Sequence, residues 1–190
     1  MEDSSITDRL IYESDPKLPP LILEEMLKQV DELTPIPSEI AGDRKGGETL
    51  NTSIRSSSTS WLPWNHWIAC ILHNLMVSAN EDYFKFDLSH FDSGLQVTTY
   101  NKGNHYTWHH DGRASSTPAG MERKLSISFM LSDKYTGGQL EFESKPSKYS
   151  LKPKAGTAII FPAWLSHRVK PVKSGTRISI VTWMNGPRFK

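Results

Sequence analysis

The sequence predicts a mainly β chain flanked by N-terminal helices, an α+β arrangement with the helices packed on one side of a β core. Three observations predict it. Short strand-like runs recur from Leu95 to Trp183, separated by Gly- and Pro-bearing breaks. Two amphipathic helical patterns precede all of them. The 190 residues suit one domain with a substantial core and are marginal for two.

Taken in order, residues 1 to about 20 are polar and end in Lys17-Leu18-Pro19-Pro20, an extended lead-in or edge strand. Leu21 to Leu33 places Ile22, Met26, Val30 and Leu33 at helical spacing, and Pro35 stops it. The stretch from Thr34 to Ser60 is rich in Ser, Thr, Gly and Pro, with a turn or loop over Ala41–Gly47. Arg55, the serines after it and Trp61 fit either an edge strand facing a cleft or a solvated loop. Trp64 to Asn80 has the longest helical pattern: Trp64, Trp67, Ile68, Ile71, Leu72, Leu75, Met76 and Ala79 share a stripe, with Pro63 at its start. His66 and His73 lie off that stripe and read as solvated.

Phe84 to Leu88 alternates briefly. The strands expected after it are Leu95–Asn101, His105–His110, Lys124–Leu131, Gln139–Glu143, Thr157–Phe161, His167–Val172 and Arg177–Trp183. Many short strands with such breaks indicate a sandwich or barrel. The expected division is a single domain over 1–190, with helical support and lead-in over 1–80 and the β core over 81–190.

Composition excludes several functions. A net charge of +1 offers no footprint for nucleic acid. Cys70 stands alone, so no internal disulfide forms, and a reducing compartment is favoured. The polar, acidic start carries no basic-then-apolar leader pattern, and no apolar run approaches about 18 residues. These features predict a cytoplasmic protein without membrane spans, a monomer or weak dimer.

The chemistry concentrates in Tyr106-Thr107-Trp108-His109-His110-Asp111. On a strand, alternation puts His109 and Asp111 on one side and turns His110 away, toward a core or supporting role. His105 is a surface or cleft residue. An imidazole beside a carboxylate makes two thirds of a 2-His-1-carboxylate set, the ligand type that suits non-haem Fe(II). His167, at the start of a later strand, is the expected third ligand. Arg177 lies on the next strand, where its guanidinium would meet a carboxylate in a two-pronged geometry, and Tyr100 would add a hydroxyl. Trp183 shares a face with Arg177 and Ser179 and should point inward to pack against the site. Trp108, Arg113 and Arg55 are further candidates for substrate contact, and Gly112–Gly120 for a lid.

Several motifs in order carry a resemblance. They are Tyr100-x-x-Gly103-x-x-Tyr106-x-x-His109-x-Asp111, Arg123-x-x-Ser126-x-Ser128-x-Met130-Leu131, Gly137-Gly138-Gln139-Leu140, Phe161-Pro162, His167-x-Val169-x-Pro171-Val172-x-x-Gly175-x-Arg177, and Trp183. The segment resembles the double-stranded β-helix (jelly-roll) core of Fe(II)/2-oxoglutarate dioxygenases of the prolyl 4-hydroxylase-like group. The resemblance implies that His109, Asp111 and His167 bind iron and that Arg177, assisted by Tyr100, holds the distal carboxylate of 2-oxoglutarate. It implies Fe(II), 2-oxoglutarate and O₂ as cofactor and co-substrates, with ascorbate as reductant. It implies hydroxylation of an unactivated C–H with release of succinate and CO₂. Arginine at 177 resembles the bacterial and viral branch; animal and plant enzymes commonly place lysine there. The favoured substrate is a peptidyl proline in a protein partner, with a free amino acid or other small molecule second. A cupin-like metal-binding module without oxygenase activity would account for the barrel and histidines but would not require Arg177 or Tyr100. Nucleic-acid repair dioxygenases resemble the chain less, because they carry a second arginine where Trp183 stands.

Overall fold

The computed structural model describes residues 10–38, 40–41, 48–112, 119–144 and 147–189. The N-terminal third runs β1 (Tyr12–Ser14), α1 (Pro20–Asp31), β2 (Ile36–Pro37), β3 (Ile40–Ala41), β4 (Glu48–Thr49), β5 (Ser58–Pro63) and α2 (Trp67–Ala79). The β region follows with β6 (His90–Phe91), β7 (Gly94–Tyr100), β8 (Tyr106–His109), β9 (Met121–Met130), β10 (Tyr135–Gly137), β11 (Leu140–Ser144) and β12 (Ser147–Leu151). It closes with β13 (Ala158–Pro162), β14 (Ser166–Val169), β15 (Val172–Gly175) and β16 (Arg177–Pro187).

Two antiparallel sheets face each other. The main sheet has the order β1-β13-β9-β16-β7-β5-β2, with β6 also on β16, and the smaller sheet has the order β12-β11-β14-β8. Alternation along β9 explains how one strand serves two environments. Leu125, Ile127 and Phe129 point to the helices and join Ile68, Leu72 and Met76 of α2 and Met26 of α1 in one core. Met130 points the other way, into a second core between the sheets with Ile159, Phe161, Leu140, Phe142 and Val169. Ser126 and Ser128 share the face of Met130 and are also buried. The helices therefore back the main sheet, and its inner face is left for polar chemistry.

The helical patterns shift at their ends. Pro20 begins α1, where a missing N–H costs nothing. The second helix does not begin at Trp64: Pro63 ends β5, and Trp64 is an exposed residue before the helix. His66 caps α2, its Nδ1 accepting from the Ile68 N–H at 3.4 Å, so it is a cap rather than a solvated side chain. Phe84–Leu88 is not a strand. A π-helical turn over Asn80–Phe84 extends α2, and Lys85 ends it in the left-handed region at φ 58°.

The serine-rich stretch resolves as a strand, β5, paired with β7 from Ser58↔Thr99 to Pro63↔Gly94. The expected strand His167–Val172 is two strands. Pro171 supplies no N–H for a ladder, so β14 ends at Val169 and β15 pairs instead with β10. In the β region β6, β10 and β12 lie outside the expected set, as do the two-residue strands β2, β3 and β4 before it. The Ala41–Gly47 turn falls mostly outside the described residues, as do Arg113 and most of the Gly112–Gly120 segment. Among the described residues no helix is long and apolar enough to cross a membrane.

Candidate metal centre

Three elements bring His109, Asp111 and His167 together. Strand β8 pairs with β14 so that His109 sits directly opposite His167. Asp111 follows β8, and its backbone N–H donates to the Ala163 carbonyl at 2.7 Å, tying it to the turn before β14. The ligand atoms of all three lie within 4.8 Å of one another. His109 Nε2 is 3.8 Å from Asp111 Oδ1, and His167 Nε2 is 3.6 Å from Asp111 Oδ2.

The hydrogen bonds fix the tautomers. His109 Nδ1 is 2.8 Å from the Thr107 carbonyl, and His167 Nδ1 is 2.9 Å from the Leu165 carbonyl. A carbonyl only accepts, so each Nδ1 carries the proton and each Nε2 keeps its lone pair. Both lone pairs belong to the atoms that approach Asp111. Burial, together with the neighbouring His167, pushes His109 well below its ordinary value, so it stays neutral. Burial opposes the charge on Asp111, yet the carboxyl sits below its usual range, with the Arg123 guanidinium among the groups that favour the anion. Two neutral imidazoles and one carboxylate suit Fe(II), and this donor set could hold it.

The surrounding side chains are fixed by packing. Tyr106 stacks on His109, with ring centroids 3.5 Å apart, and the Arg55 guanidinium lies 4.8 Å from the Tyr106 ring centre. Arg55 itself is buried, bridged to Tyr106 through the backbone, and donates through Nε to Ser57 Oγ at 2.9 Å. Phe161 and Phe142 pack against His167 at 4.8 and 6.0 Å. Arg123 covers Trp183 at 3.5 Å and pairs with Asp92.

Arg177 opens β16 directly opposite Tyr100 on β7, with its guanidinium 5.3 Å from that ring. It is 2% exposed. Nη1 donates to Ser179 Oγ at 2.9 Å, Nη2 reaches only the Met130 thioether at 3.5 Å, and Nε has no partner. Among the described residues no carboxylate pairs with this buried cation, an arrangement that is costly unless a ligand supplies the anion. Tyr135 adds a second orphan: its hydroxyl is buried without a partner, and burial raises its pKa against the pull of Arg177. These two orphaned groups are the kind a ligand carboxylate would satisfy.

The sequence reading missed Tyr135. Its one signal is its place two residues before Gly137-Gly138, whose positive φ values of 71° and 61° turn β10 against β15. Two expectations change. His110 is exposed, with neither a core nor a supporting role, because it follows the last residue of β8 and points to solvent. Trp108 faces away from His109, with the Arg168 guanidinium 4.6 Å and the Lys148 ammonium 5.6 Å from its ring, so it is not at the site. His105 is half-buried and within hydrogen-bond distance of Ser56 Oγ and the Ser53 carbonyl. Trp183 points inward as expected and is buried.

The fold and the site thus define a jelly-roll protein with a His-Asp-His cluster between its sheets. Residues 95–185 match the profile of the 2OG-Fe(II) oxygenase superfamily. A PKHD-type hydroxylase of Janthinobacterium sp. (strain Marseille) is 36% identical over 90 residues, covering 45% of this chain and 40% of the relative. One of Shewanella baltica (strain OS155 / ATCC BAA-1091) is 35% identical over 88 residues, covering 45% and 39%. The chain thus spans about two fifths of the length of these curated relatives. A Pseudomonas putida prolyl-4-hydroxylase superposes with a TM-score of 0.69 at 19% identity, covering 96% of this chain and 95% of that one. A Trichoplax adhaerens prolyl hydroxylase, in complex with a hypoxia inducible factor peptide fragment, gives 0.72 at 17% identity, covering 94% and 84%. These structures share the jelly-roll fold.

Proposed function

We propose that the chain is an Fe(II)- and 2-oxoglutarate-dependent dioxygenase that hydroxylates an unactivated C–H, with a peptidyl proline as substrate. The observation that carries the reading is a buried Arg177, without a carboxylate partner among the described residues, in the same inter-sheet space as a His-Asp-His cluster. A cupin-like metal module has a use for the cluster and none for the arginine.

In this reading His109 and His167 bind Fe(II) through Nε2, and Asp111 supplies the carboxylate. Their other faces are already held: each Nδ1–H is anchored to a backbone carbonyl, so the rings cannot turn away. When bound, the iron supplies the redox chemistry that couples decarboxylation of 2-oxoglutarate to hydroxylation of the substrate, giving succinate and CO₂. The chain's residues orient and shield. Arg177 receives the distal carboxylate of 2-oxoglutarate, with the hydroxyls of Tyr135 and Tyr100 beside it. Phe142, Phe161 and Met130 keep that pocket dry, which strengthens the ion pair. Arg55, over the Tyr106 ring that stacks on His109, is the side chain we assign to substrate contact.

Support for a peptidyl proline comes from the named hydroxylase relatives and from a neighbour of the same fold that holds a peptide. The test is succinate release from 2-oxoglutarate with Fe(II), ascorbate and a panel of proline-containing peptides. The reading expects turnover stimulated by at least one peptide, with hydroxyproline found in it. Stimulation by free amino acids alone would move the substrate to a small molecule. No turnover with any substrate, together with unchanged metal binding in Arg177→Ala, would favour the cupin-like module.

A further inference from the structure

The centre gives Asp111 two oxygens for one metal, and the choice between them decides how many positions stay open. We infer that Ser126 is a positioning residue that holds Asp111 to one-oxygen coordination through Oδ1, with the Trp183 indole beside the carboxylate. The inference rests on the metal-centre reading above.

Ser126 lies on the central strand β9 and is fully buried. A buried hydroxyl is costly unless it is hydrogen-bonded, a cost that alanine at this position would avoid. Here the hydroxyl has one use: Ser126 Oγ donates to Asp111 Oδ2 at 2.8 Å. The partner across the ladder is Trp183, in direct register with Ser126. Cross-strand partners project to the same face, so the serine hydroxyl and the indole lie side by side. Trp183 Nε1 is buried and has no partner of acceptable hydrogen-bond geometry, yet it lies close enough to Asp111 to help hold its charge. Arg123, stacked on that indole, adds positive charge from behind.

Binding the serine at Oδ2 has two consequences. It fixes the carboxylate rotation, because Asp111 cannot turn without breaking a charge-assisted bond. It also occupies a lone pair of Oδ2, while Oδ1 has no donor among the described residues. A carboxylate free to swing would bind through both oxygens and fill a coordination position that a bidentate co-substrate and O₂ require.

The test uses Co(II) as a probe with the full chain, comparing wild type, Ser126→Ala, Ser126→Thr and Trp183→Phe. It measures the Co(II) dissociation constant, the visible absorption of the bound ion, and the thermal melt without metal. Ser126→Ala is expected to weaken Co(II) about ten-fold and to change the visible spectrum, while Ser126→Thr, which keeps the hydroxyl, restores both. Trp183→Phe is expected to show a smaller change in the same direction. Wild-type affinity and a superimposable spectrum in Ser126→Ala would overturn the inference. Should Ser126→Ala fail to fold, the same wild-type result in Trp183→Phe would overturn it. A wild-type chain that binds no Co(II) would instead overturn the metal-centre reading, and the inference with it.

Discussion

Replacing Arg177 with methionine separates a ligand-binding arginine from a structural one, because the two roles predict opposite balances. The guanidinium is 2% exposed, and its protein contacts are one hydroxyl and one thioether, with Nε left over. Hydrogen bonds to a charged group contribute about 1.5–3 kcal/mol each, so a two-pronged contact with a carboxylate contributes at least about 3 kcal/mol. At about 1.4 kcal/mol per decade, losing it weakens 2-oxoglutarate roughly 100-fold. The ligand-free protein should lose little, since methionine matches much of the length and removes an unpaired buried charge. Calorimetric titration of 2-oxoglutarate into Mn(II)-loaded protein reads the first effect and thermal melting reads the second. A dissociation constant within about three-fold of wild type, or a melting point lowered by many degrees with unchanged 2-oxoglutarate affinity, would refute the reasoning.

Two other predictions probe neighbouring side chains. Burial raises the Tyr106 hydroxyl to about 12 against the opposing pull of Arg55. The unfolded chain ionises near 10, so this group's contribution is intact below about pH 10 and is lost as pH rises toward about 12; Tyr106→Phe should remove that alkaline limb from a urea-stability profile. Gly175 has φ +74°, and a Cβ there would fall 2.3 Å from the Lys134 carbonyl oxygen and 2.9 Å from Tyr135 Cα. Gly175→Ala should therefore cost at least about 2 kcal/mol in chemical denaturation and weaken 2-oxoglutarate binding by displacing Tyr135; a neutral result would mean that the turn yields freely.

What was legible in the sequence was what repeats locally. The alternation Leu125, Ile127, Phe129 against Ser126, Ser128, Met130 marks β9 because a strand between two cores needs both faces. His109 and Asp111 are legible for the same reason, two residues apart on one face. Strand β12 is not legible, because Lys148 and Ser150 are exposed and Tyr149 and Leu151 only half-buried, which leaves little apolar contrast. Trp64 joined the helical stripe on spacing alone, although Pro63 is in register with Gly94 and holds the chain in β5. Tyr135 was hidden because its approach to Arg177 depends on pairing between β10 and β15, a contact made across nearly forty residues that no local pattern encodes. His110 failed for a smaller reason: alternation places it opposite Asp111 but cannot say that the strand has already ended.

The measurement that bears most directly on the centre is a Co(II) or Fe(II) titration of wild type, His109→Ala and His110→Ala. One equivalent bound by wild type and His110→Ala, and none held tightly by His109→Ala, is the predicted result. Retention of the metal by His109→Ala with its loss in His110→Ala would contradict the account.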